Sequence, residues 1–117
     1  MKQIHSWLAQ FTTAWQTHDV DLVMDLFADG VEYWETPFDN VPDMRHLRSE
    51  WETIKNQKDI TISCEVFSKD EDKYTVLWDL EYLDAENSVR TLKGVYLIKL
   101  NADNKCTYFF HSGELRK

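Results

Sequence analysis

Residues 14–38, AWQTHDVDLVMDLFADGVEYWETPF, and then DMRHLRSEW at 43–51 decide how this chain folds. Ala14 and Trp15 close a run in which Ile4, Trp7, Leu8, Phe11, Ala14 and Trp15 recur at the three-and-four spacing of one helical face. That spacing predicts a helix over about residues 2–17. The chain then hinges at His18-Asp19, where the Asp19 carboxylate is suited to accept the unpaired N–H groups of a second helix. Val20, Val23, Met24, Leu26 and Phe27 form the stripe of that helix, and Gly30 is placed to close it. Val31 to Glu35 read as a short strand, and Pro37 and Pro42 punctuate a loop. Asp43 opens a third helix with Met44, Leu47, Trp51 and Ile54 inward, and Arg45, Arg48, Glu50 and Glu52 on a solvated face.

From residue 60 the apolar period changes from nearly four to two. Ile60, Ile62, Cys64 and Val66 alternate with polar residues, as do Val76, Trp78, Leu80 and Tyr82. These are half-buried antiparallel strands. Residues 69–73, 84–87 and 102–104 read as turns, and 88–100 and 105–112 complete a meander. Helices followed by strands predict an α+β architecture, three N-terminal helices packed on a strongly curved antiparallel sheet. A bent sheet closed by helices leaves a concave mouth, where small molecules commonly bind.

Length and composition bound the function classes. The 117 residues make one domain, 1–117, and 43% apolar content with 14% aromatic content supplies a core. A net charge of -8 with scattered basic residues disfavours nucleic acid as a partner. No stretch approaches the roughly 20 apolar residues of a membrane span, and the interrupted N-terminus lacks a secretory apolar run. A soluble, cytoplasmic protein with no membrane partner is expected. Cys64 and Cys106 stand apart in apolar strand patterns, which reads as two small buried hydrophobes, with a cross-strand disulfide as the alternative. No metal is expected: Asp19 serves as a cap beside His18, Asp21 and Asp25, and Asp70-Glu71-Asp72 lacks calcium-loop spacing. Phosphate-loop, dinucleotide and serine-hydrolase motifs are absent, so no cofactor is implied.

The order of these features resembles the nuclear transport factor 2-like, or SnoaL-like, superfamily of cone-shaped folds, and its short bacterial members in particular. The likeness rests on Ala14-Trp15, Asp19 to Asp29, the E-x-P-F of Glu35 to Phe38, Arg45 with Trp51, Trp78, Gly94 and the final strand from Cys106. It implies a homodimer paired through the outer sheet face. It includes isomerases, cyclases, dehydratases and binding modules, so it implies a shape and no substrate. A more distant resemblance to ketosteroid isomerase puts that family's carboxylate base on Glu35. The same register puts its oxyanion-hole tyrosine on Phe11, which has no hydroxyl, and its protonated aspartate on Tyr96.

Three residues carry the candidate chemistry. Glu35, among Tyr33, Trp34, Pro37 and Phe38, would be desolvated and turned into a general base if it points inward, or is an outward carboxylate at a strand end. His111 shares a face with Phe109 and Gly113, the face that the resemblance turns toward the cavity. There it would relay protons, or be a hydrogen-bonded histidine at the sheet edge. Tyr96, in line with Ile98 and Leu100, would bring a phenol beside Glu35. Phe11, Trp15, Phe27, Tyr33, Trp51, Trp78 and Phe109 are the expected ligand-binding walls, although aromatic residues at these spacings are core by default. Two functions follow. One is a binding protein for a small apolar or amphipathic molecule, acting as a cofactor-free isomerase or lyase if it is catalytic. The other is a non-catalytic dimeric interaction module.

Overall fold

A computed structural model describes residues 2–117. Helix α1 (Lys2–Gln16) buries the predicted face, and α2 (Val20–Asp25) is capped by the Asp19 carboxylate, which accepts from the Leu22 N–H. Between them His18 takes a left-handed backbone, φ 58, and its Nε2 donates to the Gln57 carbonyl at 2.6 Å. Helix α3 (Met44–Glu52) is capped by Asp43, as its sequence predicts, and runs into a 3-10 turn (Thr53–Asn56). The long strands are β3 (Lys58–Asp70), β4 (Lys73–Leu83), β5 (Val89–Leu100) and β6 (Cys106–Leu115).

The segment after α2 differs from its sequence reading. Strand β1 (Phe27–Thr36) begins where the helical stripe was expected to continue, so Phe27 belongs to the sheet. The Leu26 carbonyl explains the switch: it accepts from Trp7 Nε1 at 2.9 Å and from the Cys106 N–H at 2.8 Å, tying the end of α2 to α1 and β6. Gly30 does not close a helix. It lies inside β1 with φ 77, at an irregularity where β1 advances from Phe27 to Glu32 while β6 advances from Cys106 to Tyr108. The surplus residues bulge outward, and a left-handed backbone there favours glycine. The expected loop holds a further short strand, β2 (Asp39–Val41), hairpinned onto β1.

One sheet of six strands results, in the order β2-β1-β6-β5-β4-β3. It is curved and unclosed, and the α+β cone expected from the sequence is the observed fold. All pairings are antiparallel except β1 with β6, which run parallel, the chain between them passing through β2, α3 and strands β3 to β5. The core lies between the concave face and α1 to α3. It is strongly aromatic, with Trp7, Phe11, Phe27, Tyr33, Trp51, Trp78, Tyr96 and Phe109 all buried. Among the described residues no helix is long and apolar enough to cross a membrane. Cys64 and Cys106 are free thiols; Cys106 is a buried small hydrophobe, as read from the sequence, whereas Cys64 is only half-buried.

Candidate functional site

Between α3 with its 3-10 turn and the concave sheet lies a cavity of about 170 Å³. Strand alternation delivers its lining: Tyr33 and Glu35 from β1, Trp78 from β4, Tyr96 from β5, and Phe109 and His111 from β6. Trp15 from α1 and Trp51 from α3 complete the wall on the helical side.

Glu35 therefore faces inward, on the side of β1 opposite to Trp34. Its carboxylate makes no hydrogen bond to another described residue. Burial, reinforced by the Glu50 carboxylate, pushes its pKa up to about 7. A carboxyl that is close to half ionised at neutrality is suited to both taking and returning a proton.

His111 holds the strand that carries Glu35. Its Nδ1 lies 2.8 Å from the Glu35 carbonyl oxygen. A carbonyl only accepts, so Nδ1 carries the proton and Nε2 is left with a lone pair. Burial lowers the pKa of the ring below that of a free histidine, partly offset by this bond. The ring stacks on Trp78 at 5.2 Å, and Tyr96 stacks on the same indole at 5.3 Å.

Two glycines make room for that indole. Gly94 and Gly113 face each other across β5 and β6, and a Cβ on either would stand 2.6 Å or 2.3 Å from Trp78 Cζ2. Burial holds the Tyr33 and Tyr96 hydroxyls well above the ordinary tyrosine pKa, with the Glu35 charge adding to the effect in each, so both phenols keep their protons.

Not every residue expected at the site lines it. Phe11 and Phe27 are buried one layer behind: Phe11 packs edge-on against Trp51 and Tyr96, and Phe27 packs edge-on against Tyr33 and Phe109. They belong to the core and buttress the rings that do line the cavity. Sequence reading missed Glu50, Thr53, Ile54, Gln57, Leu80, Tyr82 and Leu92 as lining residues. Leu80 and Tyr82 were findable, since they alternate in step with Trp78. Glu50 was not, because it sits on the charged side of α3. Gln57 is spent on structure, accepting from Trp15 Nε1 at 2.8 Å. Among the described residues no group of three or more His, Cys, Asp or Glu is placed to hold a metal ion.

The profile of the SnoaL-like domain matches residues 8–109. This chain belongs to the SnoaL-like family. Comparison with curated proteins finds no match. Solved structures share the fold at low identity. An NTF2-like protein of unknown function from Exiguobacterium sp. 255-15 is 19% identical, with a TM-score of 0.77 over 92% of this chain and 98% of that one. The Δ5-3-ketosteroid isomerase of a Mycobacterium species is 15% identical, with a TM-score of 0.80 over 97% and 98%. RV0760c of Mycobacterium tuberculosis, solved in complex with estradiol-17β-hemisuccinate, is 17% identical, with a TM-score of 0.78 over 92% and 91%.

Proposed function

We propose that this SnoaL-like protein binds a small apolar or amphipathic molecule in the cavity and, without a cofactor, moves a proton between one of its carbons and Glu35. The observation that carries this reading is a desolvated carboxylate with no protein partner, facing an aromatic cavity. Ionised Glu35 takes an acidic proton from a carbon next to a carbonyl, and the electron pair moves onto the carbonyl oxygen. Tyr96, which keeps its proton, donates a hydrogen bond to the oxygen as charge develops. Return of the proton from Glu35 to a different carbon gives isomerisation; loss of a leaving group from the neighbouring carbon gives elimination. His111 is a positioning residue: its Nδ1–H holds the Glu35 backbone carbonyl. Two structural neighbours, one a ketosteroid isomerase and one solved in complex with an estradiol derivative, support an apolar ring as the kind of ligand.

The test is proton exchange. Cyclohexanone in D2O, followed by ¹H NMR, is expected to lose its α-proton signals faster with the protein than with Glu35→Gln at the same concentration. Equal rates for the two proteins would remove Glu35 from any such chemistry.

A second reading, the dimeric interaction module, is favoured by the outer sheet face. Trp34, Phe110 and Leu97 stand side by side across three strands, and Val95 adjoins Leu77. Leu77 and Leu97 are exposed, and an apolar row of this kind suits a homodimer. Sedimentation equilibrium that returns a monomer at all concentrations would exclude it. Free thiols at Cys64 and Cys106 accord with a reducing, cytoplasmic compartment.

A further inference from the structure

The site has more hydrogen-bond donors than the proton-transfer reading uses. Tyr33 and Tyr96 are 3% and 1% exposed, both line the cavity, and neither hydroxyl bonds another described residue. Their rings flank Phe109, with centroids 4.9 Å and 4.8 Å from it. The indoles point the same way. Of the five tryptophans, Trp7, Trp15 and Trp34 donate their N–H to Leu26, Gln57 and Glu32. Trp51 and Trp78, the other two, have buried Nε1 atoms without a partner, and both line the cavity. Trp51 Nε1 is turned toward the Tyr33 hydroxyl but falls short of hydrogen-bond geometry. A buried donor left unpaired costs about 1–3 kcal/mol, so this wall favours an occupant that brings acceptors.

Charge and size narrow the occupant further. No Lys or Arg lines the cavity, while Glu35 and Glu50 do, so an anion has no counter-charge there. A volume of about 170 Å³ is close to that of an apolar cavity that takes one benzene ring, ~150 Å³. It lies below the ~300 Å³ at which drug-sized sites begin. A single ring fills this space, and a four-ring steroid would extend beyond it.

We propose that Tyr33 is a second donor of the site, and that Tyr33 and Tyr96 together bind the carbonyl oxygen of an uncharged, single-ring ketone or enone. This rests on reading the cavity as the ligand site. It adds to that reading a residue, a functional group and an upper size.

The probe is 2-cyclohexenone labelled with ¹³C at the carbonyl, titrated into the protein and followed by infrared difference spectroscopy. Saturable binding with a carbonyl stretch lowered from its value in alkane is expected. Tyr33→Phe and Tyr96→Phe, which each remove one hydroxyl, should each raise the stretch and weaken binding by roughly two- to twelvefold, the worth of one neutral hydrogen bond. Equal stretch and affinity in Tyr33→Phe and parent would overturn the role of Tyr33. The ligand class would be overturned by failure of the parent to bind 2-cyclohexenone, by tighter binding of tetramethylammonium, or by equally tight binding of 4-androstene-3,17-dione. The proton-transfer reading fails separately. If 2-cyclohexenone binds with the expected stretch but cyclohexanone exchanges no faster than with Glu35→Gln, the donors stand and the base does not. Exchange that depends on Glu35 but is unchanged in Tyr33→Phe gives the converse.

Discussion

The imidazole of His111 is bonded through Nδ1 to the backbone carbonyl of Glu35, 2.8 Å away, so the last strand of the sheet fixes the position of the carboxylate delivered by the first. Replacing His111 with Phe keeps a ring against Trp78 but leaves that carbonyl without its donor. The expected cost is about 1–3 kcal/mol of stability, measured by urea unfolding. A loss in kcat larger than any change in KM is expected with it, because positioning and not binding is impaired. Unchanged stability and unchanged kcat would show that the bond positions nothing.

Glu35 should weaken the fold at high pH. Its folded pKa of about 7 lies above the ordinary 4.5, so the folded state holds the proton more tightly than the unfolded chain. Stability is penalised as pH rises from about 4.5 to about 7 and the penalty is constant above that. Glu35→Gln removes it, and is expected to be more stable than the parent by up to about 3 kcal/mol at pH 8, with the difference vanishing near pH 4. Asp43 and Asp84, whose pKa values are lowered chiefly by hydrogen bonds from His46 and Ser88 N–H groups, lose stability on acidification in both proteins and drop out of the comparison. Chemical denaturation at the two pH values checks this.

Trp78 is the largest packing element at the site. It is 2% exposed, and Trp78→Ala should cost roughly 3–5 kcal/mol, as large aromatic truncations do. A cost below about 1 kcal/mol would mean that the indole is not held as described.

Gly113 tests the seat of that indole. An alanine Cβ there would stand 2.3 Å from Trp78 Cζ2 and 2.7 Å from Cη2, while Tyr96 and His111 cover other parts of the ring. Gly113→Ala is expected to cost about 1–3 kcal/mol by overpacking and to change the near-ultraviolet circular dichroism of the tryptophans. A spectrum and stability identical to the parent would show that the ring has slack.

Much of this arrangement was legible in the sequence, for local reasons. Asp19 and Asp43 announced their helices because capping depends only on neighbours. Period-two alternation grouped Trp78 with Leu80 and Tyr82, Tyr96 with Ile98 and Leu100, and Phe109 with His111 on faces of their own strands, while it was the family resemblance that turned Phe109 and His111 toward the cavity. Alternation alone left Glu35 undecided between inward and outward, since Trp34 competes for the cavity. The start of β1 was hidden because Leu26 and Phe27 continue the helical spacing of α2; what ends the helix is the Leu26 carbonyl bonding Trp7 and Cys106, both distant in sequence. Gly30 looked like a helix terminator because a bulge and a helix end use the same left-handed backbone. Phe11 and Phe27 were expected to touch a ligand because periodicity distinguishes inside from outside but not the core from a cavity wall. The donor role of Tyr33 was missed for a related reason: whether a buried phenol is already satisfied depends on partners from other elements.

Whether Glu35 is a desolvated base in a ligand cavity is decided by its own titration. The side-chain carboxyl ¹³C shift of Glu35, assigned by its loss in Glu35→Gln, is followed across pH 3–9. A midpoint near 7 is expected. A midpoint near the ordinary 4.5 would contradict it, placing the carboxylate in water and leaving the cavity without its base.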